Sequence, residues 1–133
     1  MKAKTILLVE DDYLDVESVK RALKKIRSEH ILHVAHNGVD ALTLLTSEEN
    51  KIIPDIILLD INMPKMNGLE FLRIIKNYSR LKSIKIFVIT TSEEEYDKST
   101  VEHLGVSGYI LKPLTFNEKM SENQRKLLEL LSE

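Results

Sequence analysis

The sequence IILLDINMP, residues 56–64, decides how this chain of 133 residues folds. Its first four residues are large and apolar, and Pro54 and Pro64 lie on either side of the run. This pattern is typical of a short strand that is buried on both faces. Asp60 follows the apolar run directly. Because open α/β sheets bind their ligands at the carboxyl ends of the strands, the sequence indicates that Asp60 is the reactive group.

Length and composition indicate one globular domain. A hydrophobic content of 43% is enough for a single core, and a net charge of -2 leaves no basic excess to attract nucleic acid or an acidic membrane. The chain has no cysteine, which excludes disulfides and thiolate chemistry. The apolar run at residues 6–9 is too short for a signal peptide or a membrane span. We therefore predict a cytoplasmic protein that binds neither nucleic acid nor membrane.

Short apolar runs alternate along the chain with amphipathic segments of helical period. This alternation predicts five strands, each followed by a helix, at residues 5–9, 31–35, 56–59, 84–89 and 107–111. Such a pattern is typical of an α/β fold in which helices cover both faces of a parallel sheet. With right-handed crossovers, the predicted fold is flavodoxin-like, a doubly wound five-stranded parallel sheet with strand order 2-1-3-4-5. That order places the carboxyl ends of strands one and three side by side.

End signals predict the last two helices. The acidic residues 93–95 favour a helix amino terminus, and Gly105 predicts that this fourth helix ends at about residue 103. Thr115 and Glu118 have the spacing of a capping box. The last helix is therefore predicted to start there and to continue towards Leu131.

Polar residues follow four of the predicted strands, namely Glu10 with Asp11, Asp60, Thr90 and Lys112. Clustered carboxylates repel one another near neutral pH unless a cation lies among them. Oxygen ligands without histidine or cysteine suit Mg²⁺, whose coordination is commonly completed by phosphate oxygens. Lys112 and the Thr90 hydroxyl are placed to hold the remaining oxygens of a phosphoryl group. Asp60 is then the predicted nucleophile, which forms an aspartyl phosphate.

Four motifs together resemble those of response-regulator receiver domains of two-component signalling, and of the chemotaxis regulators in particular. They are LLVEDD at 7–12, LLDINMP at 58–64 with Gly68, VITTS at 88–92 and GYILKP at 108–113. Each motif alone is weak, but the four occur in order and span almost the whole chain. Residues 91–92 and the long loop before Pro54 are similar to those of stand-alone receivers paired with bacterial phytochromes. The resemblance implies a single receiver domain over residues 1–133, with no output domain.

The resemblance also implies a role for each residue of the acidic group. Asp60 would accept a phosphoryl group from a phosphohistidine on a sensor histidine kinase or a histidine phosphotransfer protein. Asp11, Asp60 and the main-chain carbonyl of Asn62 would ligate Mg²⁺, with Glu10 acting through water. Asp12 lies one position beyond the acidic pair of the family and is interpreted as a bystander or a helix cap.

Thr90, Tyr109 and Lys112 complete the implied switch. The Thr90 hydroxyl would move onto the phosphoryl group, Tyr109 would turn into the vacated space, and Lys112 would bridge to the phosphoryl oxygens. The resemblance also implies that the bond from Lys112 to Pro113 is cis, a form that proline makes accessible. Phosphorylation would change a surface formed by the fourth helix, the fifth strand and the last helix. The readout is a homodimer through that surface, a target protein or a relay to a further histidine.

Two other functions remain as alternatives for the same fold. A phosphatase of the haloacid-dehalogenase type places a second aspartate two residues after the nucleophile, but this chain has Asn62 there, which cannot exchange a proton. A flavodoxin-like cofactor carrier needs a phosphate loop rich in glycine, serine and threonine after strand one, where residues 10–12 are acidic. The prediction is instead a protein that catalyses its own phosphorylation and slow dephosphorylation.

Asn62 and Ser92 are predicted to set the lifetime of the phosphoryl group. By resemblance they flank the pocket, where the metal and the lysine that aid transfer also assist attack by water. Changing either residue is expected to alter the dephosphorylation rate and to leave phosphorylation intact. The measurement is the decay of phosphorylated protein after the phosphodonor is removed, and an unchanged decay in both variants would refute this prediction.

Overall fold

The computed structural model describes residues 3–26, 29–49, 52–61, 66, 68–91, 99 and 102–133. The first half of the chain forms β1 (Lys4–Val9), α1 (Tyr13–Lys24), β2 (His30–Ala35), α2 (Gly38–Thr46), β3 (Ile56–Asp60) and α3 (Gly68–Ile75). The second half forms a 3-10 turn (Ser79–Leu81), β4 (Lys85–Thr90), β5 (Gly108–Leu111) and a C-terminal helix (Glu122–Leu131). Among the helices that the structure describes, none has the length and apolar character needed to cross a membrane.

The five strands form one parallel sheet in the order β2-β1-β3-β4-β5. This confirms the predicted flavodoxin-like topology, in which the chain winds to one side of β1 and then to the other. The carboxyl ends of β1 and β3 therefore meet at the topological switch point, where such sheets bind ligands. Val9 pairs with Leu59 in this register. The next residues, Glu10 and Asp60, therefore lie side by side at the carboxyl ends of β1 and β3.

The central strand β3 is buried along its whole length, Ile56–Asp60. Successive side chains of a strand point to opposite faces of the sheet. Leu59 accordingly packs with Phe71 of α3 in one core cluster, and Leu58 packs with Leu127 of the C-terminal helix in the other. Because both faces of β3 are covered, its sequence is a continuous apolar run and not an alternating one.

The predicted strands agree with the observed ones to within one residue at each end. The predicted fourth helix, residues 93–103, falls mostly outside the described residues and stays a prediction. Gly105, its predicted end signal, has a φ of 76°, which is the left-handed conformation that glycine adopts readily at helix ends.

The start of the last helix was predicted wrongly. The helix begins at Glu122 and not near Thr115, and the residue that caps it is Ser121, whose Oγ accepts a hydrogen bond from the main-chain N of Gln124 at 3.2 Å. Ser121 and Gln124 have the same capping-box spacing as Thr115 and Glu118. Two segments of the sequence thus carried the same local signal, and the second one is used.

The reason lies in tertiary contacts of the buried Gln124 side chain. Its Oε1 accepts hydrogen bonds from the main-chain N of Thr115 at 3.1 Å and of Phe116 at 3.3 Å. Its Nε2 donates to the carbonyl oxygen of Pro113 at 3.2 Å. These bonds pair main-chain N–H and carbonyl groups of the segment after β5 while that segment has a non-helical conformation. The helix therefore does not start there.

Replacing Ser121 by alanine is expected to destabilise the protein by about 1 kcal/mol, because the first turn of the C-terminal helix loses its cap. Replacing the exposed Glu118 by alanine is expected to change stability by less than about 0.5 kcal/mol. Urea unfolding of both variants measures the difference. A larger loss for Glu118→Ala than for Ser121→Ala would contradict the observed helix start.

Candidate functional site

Three carboxylates lie together at the switch point. Glu10 and Asp11 follow β1, Asp60 ends β3, and one oxygen of each lies within 4.8 Å of the others. Glu10 is fully buried and Asp60 is 5% exposed, whereas Asp11 is open to solvent. The structure thus brings together the three acidic residues that the sequence predicted to meet.

Lys112 follows β5 and reaches into this acidic group. Its Nζ donates hydrogen bonds to Oε1 of Glu10 and to Oδ2 of Asp15, both at 2.7 Å. The same Nζ lies 3.7 Å from Oδ2 of Asp60, which is an ion-pair distance but longer than a hydrogen bond. The ammonium group therefore lies among three carboxylates and hydrogen-bonds to two of them.

Backbone contacts hold Lys112 beside Thr90. The main-chain N of Lys112 donates to the carbonyl oxygen of Thr90 at 2.8 Å, and Thr90 is fully buried at the carboxyl end of β4. The peptide bond between Lys112 and Pro113 is cis, as the sequence predicted. The next residues are held by Gln124, so the position of Lys112 is supported from both sides.

Of the other predicted site residues, the structure describes the switch residue Tyr109 but not Asn62 or Ser92. Tyr109 is half-buried in β5 and packs against the core cluster on the α2 and α3 side of the sheet. Its carbonyl oxygen accepts a hydrogen bond from Nδ2 of Asn123, on the C-terminal helix, at 2.9 Å. Asn62 and Ser92 lie outside the described residues, so the roles assigned to them stay predictions.

Gly68 allows the chain to return tightly against the end of β3. Its main-chain N donates to the carbonyl oxygen of Ile61 at 3.0 Å. A Cβ atom on Gly68 would lie 2.5 Å from Cα of Ile61, a distance that no side chain tolerates. Glycine at this position thus lets α3 begin directly beside the residue that follows Asp60.

Asp15 contacts the site but was not among the residues predicted from the sequence. Asp12 caps α1, since its Oδ1 accepts hydrogen bonds from the main-chain N of Leu14 at 2.8 Å and of Asp15 at 3.3 Å, which confirms its interpretation as a helix cap. Asp15 lies in the first turn of that helix, where its carboxylate meets Lys112. An acidic residue in the first turn of the helix after β1 was the signal available in the sequence, but such residues also occur for the helix dipole alone.

The pKa of Glu10 is raised from 4.5 to about 7, chiefly by burial. The hydrogen bond from Lys112 lowers this pKa, whereas the neighbouring Asp60 raises it further. Burial tends to lower the pKa of Lys112, but hydrogen bonds to Asp15 and Glu10 and the charge of Asp60 outweigh it and raise that pKa above its ordinary value. Lys112 therefore stays charged at neutral pH, while Glu10 titrates there.

The group formed by Glu10, Asp11 and Asp60 fits a hard divalent cation. All three donors are carboxylate oxygens, and the exposed Asp11 leaves one side of the group open to solvent. Mg²⁺ prefers oxygen ligands and keeps several waters, which requires such an open side.

Comparison with known proteins agrees with this fold and site. The family model described as response regulator receiver domain matches residues 6–122. The chain therefore belongs to the response regulator receiver domain family of two-component systems.

Individual relatives are similar over most of their length. Response regulator Rcp1 of Synechocystis sp. is 39% identical over 112 residues, which cover 82% of this chain and 76% of that protein. The structure of its Mn²⁺-bound form has a TM-score of 0.77 at 36% identity and covers 96% of this chain and 88% of its own. A two-component response regulator from Legionella pneumophila has a TM-score of 0.82 at 40% identity, with 98% of both chains covered. The phosphorylated cyanobacterial phytochrome response regulator RcpA has a TM-score of 0.78 at 33% identity, with 98% of this chain and 89% of its own covered.

Glu10 is expected to make the stability of the metal-free protein depend on pH. The pKa of its carboxyl is about 7 in the folded protein and 4.5 ordinarily, so the folded state binds more protons than the unfolded state between these values. The contribution of Glu10 to stability therefore falls as pH rises from about 5 to about 7. Glu10→Gln is expected to remove this part of the pH profile, as measured by urea unfolding in the presence of a chelator.

The control is Glu129→Gln, at an exposed position of the C-terminal helix. This variant is expected to keep the wild-type dependence of stability on pH. A Glu10→Gln profile that falls as steeply as that of the wild type over the same pH range would contradict the assignment.

Proposed function

We propose that this protein is a response regulator that accepts a phosphoryl group on Asp60 in a Mg²⁺-dependent reaction and signals through phosphorylation-dependent protein contacts. The observation that carries this proposal is the position of the Lys112 ammonium, 3.7 Å from Asp60 and hydrogen-bonded to Glu10 at 2.7 Å, within the acidic group at the switch point. A phosphoryl group on Asp60 would then lie between a positive charge and a set of cation ligands.

Asp60 is suited to be the acceptor because its position is rigid. It ends the central strand, where it pairs with Ile89 of β4 and follows Leu59, the partner of Val9 in β1. In the proposed reaction a carboxylate oxygen of Asp60 attacks the phosphorus of a phosphohistidine, and the bond from phosphorus to the histidine nitrogen breaks. The donor is a sensor histidine kinase or a histidine phosphotransfer protein.

Asp11 and Asp60, with the main-chain carbonyl of Asn62, are the proposed ligands of Mg²⁺, and Glu10 acts through water. When bound, the ion supplies positive charge to the phosphoryl oxygens. The existence of a Mn²⁺-bound form of the relative Rcp1 supports a divalent cation here. Lys112 holds its charge opposite these ligands and stabilises the phosphoryl group in the product.

Thr90 and Tyr109 are the proposed switch residues. Thr90 lies on β4 and Tyr109 on the neighbouring edge strand β5, where the backbone of Lys112 bonds to Thr90 and that of Tyr109 bonds to Asn123. A movement at Thr90 is therefore coupled to β5 and to the C-terminal helix. The surface formed by the fourth helix, β5 and the C-terminal helix is the proposed site of homodimerisation or target binding.

We also propose a location in the cytoplasm, and self-catalysed phosphorylation followed by slow dephosphorylation. The phosphatase and flavin-carrier alternatives have no support from the family match, which covers residues 6–122.

Incubation of the purified protein with acetyl phosphate and Mg²⁺ is expected to add one phosphoryl group, measured by intact mass. Asp60→Asn is expected to abolish this adduct, because an amide is not a nucleophile for phosphorus. The exposed Asp40→Asn on α2 is the matched control and is expected to behave as the wild type. Size-exclusion chromatography of the same samples reports whether phosphorylation causes association.

An equal adduct on Asp60→Asn and on the wild type would exclude Asp60 as the acceptor. Absence of an adduct with acetyl phosphate is to be followed by the same test with a phosphohistidine protein as donor. Failure with both donors would refute the proposed function.

A further inference from the structure

Asp15 adds a carboxylate to the surroundings of Lys112 that the four sequence motifs do not include. It lies outside the group of Glu10, Asp11 and Asp60, and its Oδ2 accepts a hydrogen bond from Lys112 Nζ at 2.7 Å. We propose that Asp15 is a positioning residue that holds Lys112 away from Asp60 until a phosphoryl group arrives. This inference rests on the proposed role of Asp60 as phosphoryl acceptor.

The distances show which carboxylates hold the lysine. Lys112 Nζ lies at 2.7 Å from both Glu10 and Asp15 but at 3.7 Å from Asp60. An ammonium group has three N–H donors, and the two short, charge-assisted bonds occupy two of them. Lys112 is therefore engaged with its two neighbours more strongly than with the proposed acceptor.

Glu10 and Asp15 differ in what happens when the lysine moves. Glu10 is fully buried, and its Oε2 accepts a further hydrogen bond from the main-chain N of Asp12 at 3.2 Å, so water cannot take the place of Lys112 there. The Asp15 side chain is 35% exposed, so water can solvate it when Lys112 leaves. Asp15 is thus the partner that Lys112 can release at low cost.

The movement that this exchange requires is short. Asp15 and Lys112 both line a pocket between α1 and the segment that follows β5, together with Val19 and Leu114, so water has access to Asp15 when Lys112 leaves. The Lys112 side chain is 13% exposed, and its ammonium group already lies within 4 Å of Asp60. Turning from Asp15 towards a phosphoryl group on Asp60 therefore requires a change of side-chain torsion and no movement of β5.

Asp15 and a phosphoryl group on Asp60 compete for the same N–H donors. Removing the charge of Asp15 while keeping its shape is expected to favour the phosphorylated form, because Lys112 then loses a weaker interaction when it turns towards the phosphoryl group. Ion pairs with a partner this exposed are weak, so the expected gain is about two- to fivefold. Asp15→Glu keeps the charge and is expected to restore affinity close to that of the wild type.

The test is the affinity for beryllium fluoride in the presence of Mg²⁺, measured by isothermal titration calorimetry, because this anion imitates a phosphoryl group without transfer chemistry. Asp15→Asn is expected to bind it about two- to fivefold more tightly than the wild type. Asp15→Ser, which also lacks the charge, is expected to change affinity in the same direction. Thermal unfolding of each variant verifies that it is folded.

A double-mutant cycle separates positioning from a general structural effect. In a Lys112→Gln background, Asp15→Asn is expected to leave the affinity for beryllium fluoride unchanged, since its effect passes through the lysine. An effect of equal size in both backgrounds would contradict the proposal.

The outcomes distinguish this inference from the proposed function. If the wild type binds no beryllium fluoride and takes up no phosphoryl group, the role of Asp60 is wrong. If the wild type does both, but Asp15→Asn and Asp15→Ser bind the anion with wild-type or weaker affinity, Asp60 keeps its role and the role of Asp15 is refuted.

Discussion

The ion pair between Lys112 and the buried acid Glu10 is the interaction on which the site depends. Burying a carboxylate costs several kcal/mol unless a partner compensates it, and Glu10 has no exposed surface. Lys112 offsets part of this cost from 102 residues further along the chain, so the pair forms only when β5 is in place at the edge of the sheet. The acidic group, the lysine and the complete sheet therefore stabilise one another.

The sheet order explains how such distant residues meet. Glu10, Asp60, Thr90 and Lys112 lie at or directly after the carboxyl ends of parallel strands, and all of these ends lie on the same side of the sheet. The winding to either side of β1 places Glu10 beside Asp60, while the pairing of β4 with β5 places Thr90 beside Lys112. The apolar run of β3 holds the centre of this arrangement, because its two faces belong to the two core clusters.

Lys112 lies between a buried partner and a partly exposed one, Glu10 and Asp15, and this asymmetry suits a switch. A two-state element needs alternatives that differ little in free energy, so that a ligand is able to shift their populations. Exchange of the partly exposed ion pair for a phosphoryl contact meets this condition, whereas exchange of the buried pair does not. In the proposed function, receiver domains share the phosphorylation chemistry, and a local contact such as that of Asp15 would adjust its equilibrium in an individual chain.

The sequence by itself determined the strands, their order and the polar residues at the strand ends, because buried parallel strands are continuous apolar runs and turn residues are local signals. It did not determine where the last helix begins, since Thr115 with Glu118 and Ser121 with Gln124 carry the same capping pattern. Only the contacts of the buried Gln124 side chain decided between them. Tertiary structure alone likewise brought Asp15 to a lysine 97 residues away, because distances between remote residues are set by packing and not by local pattern.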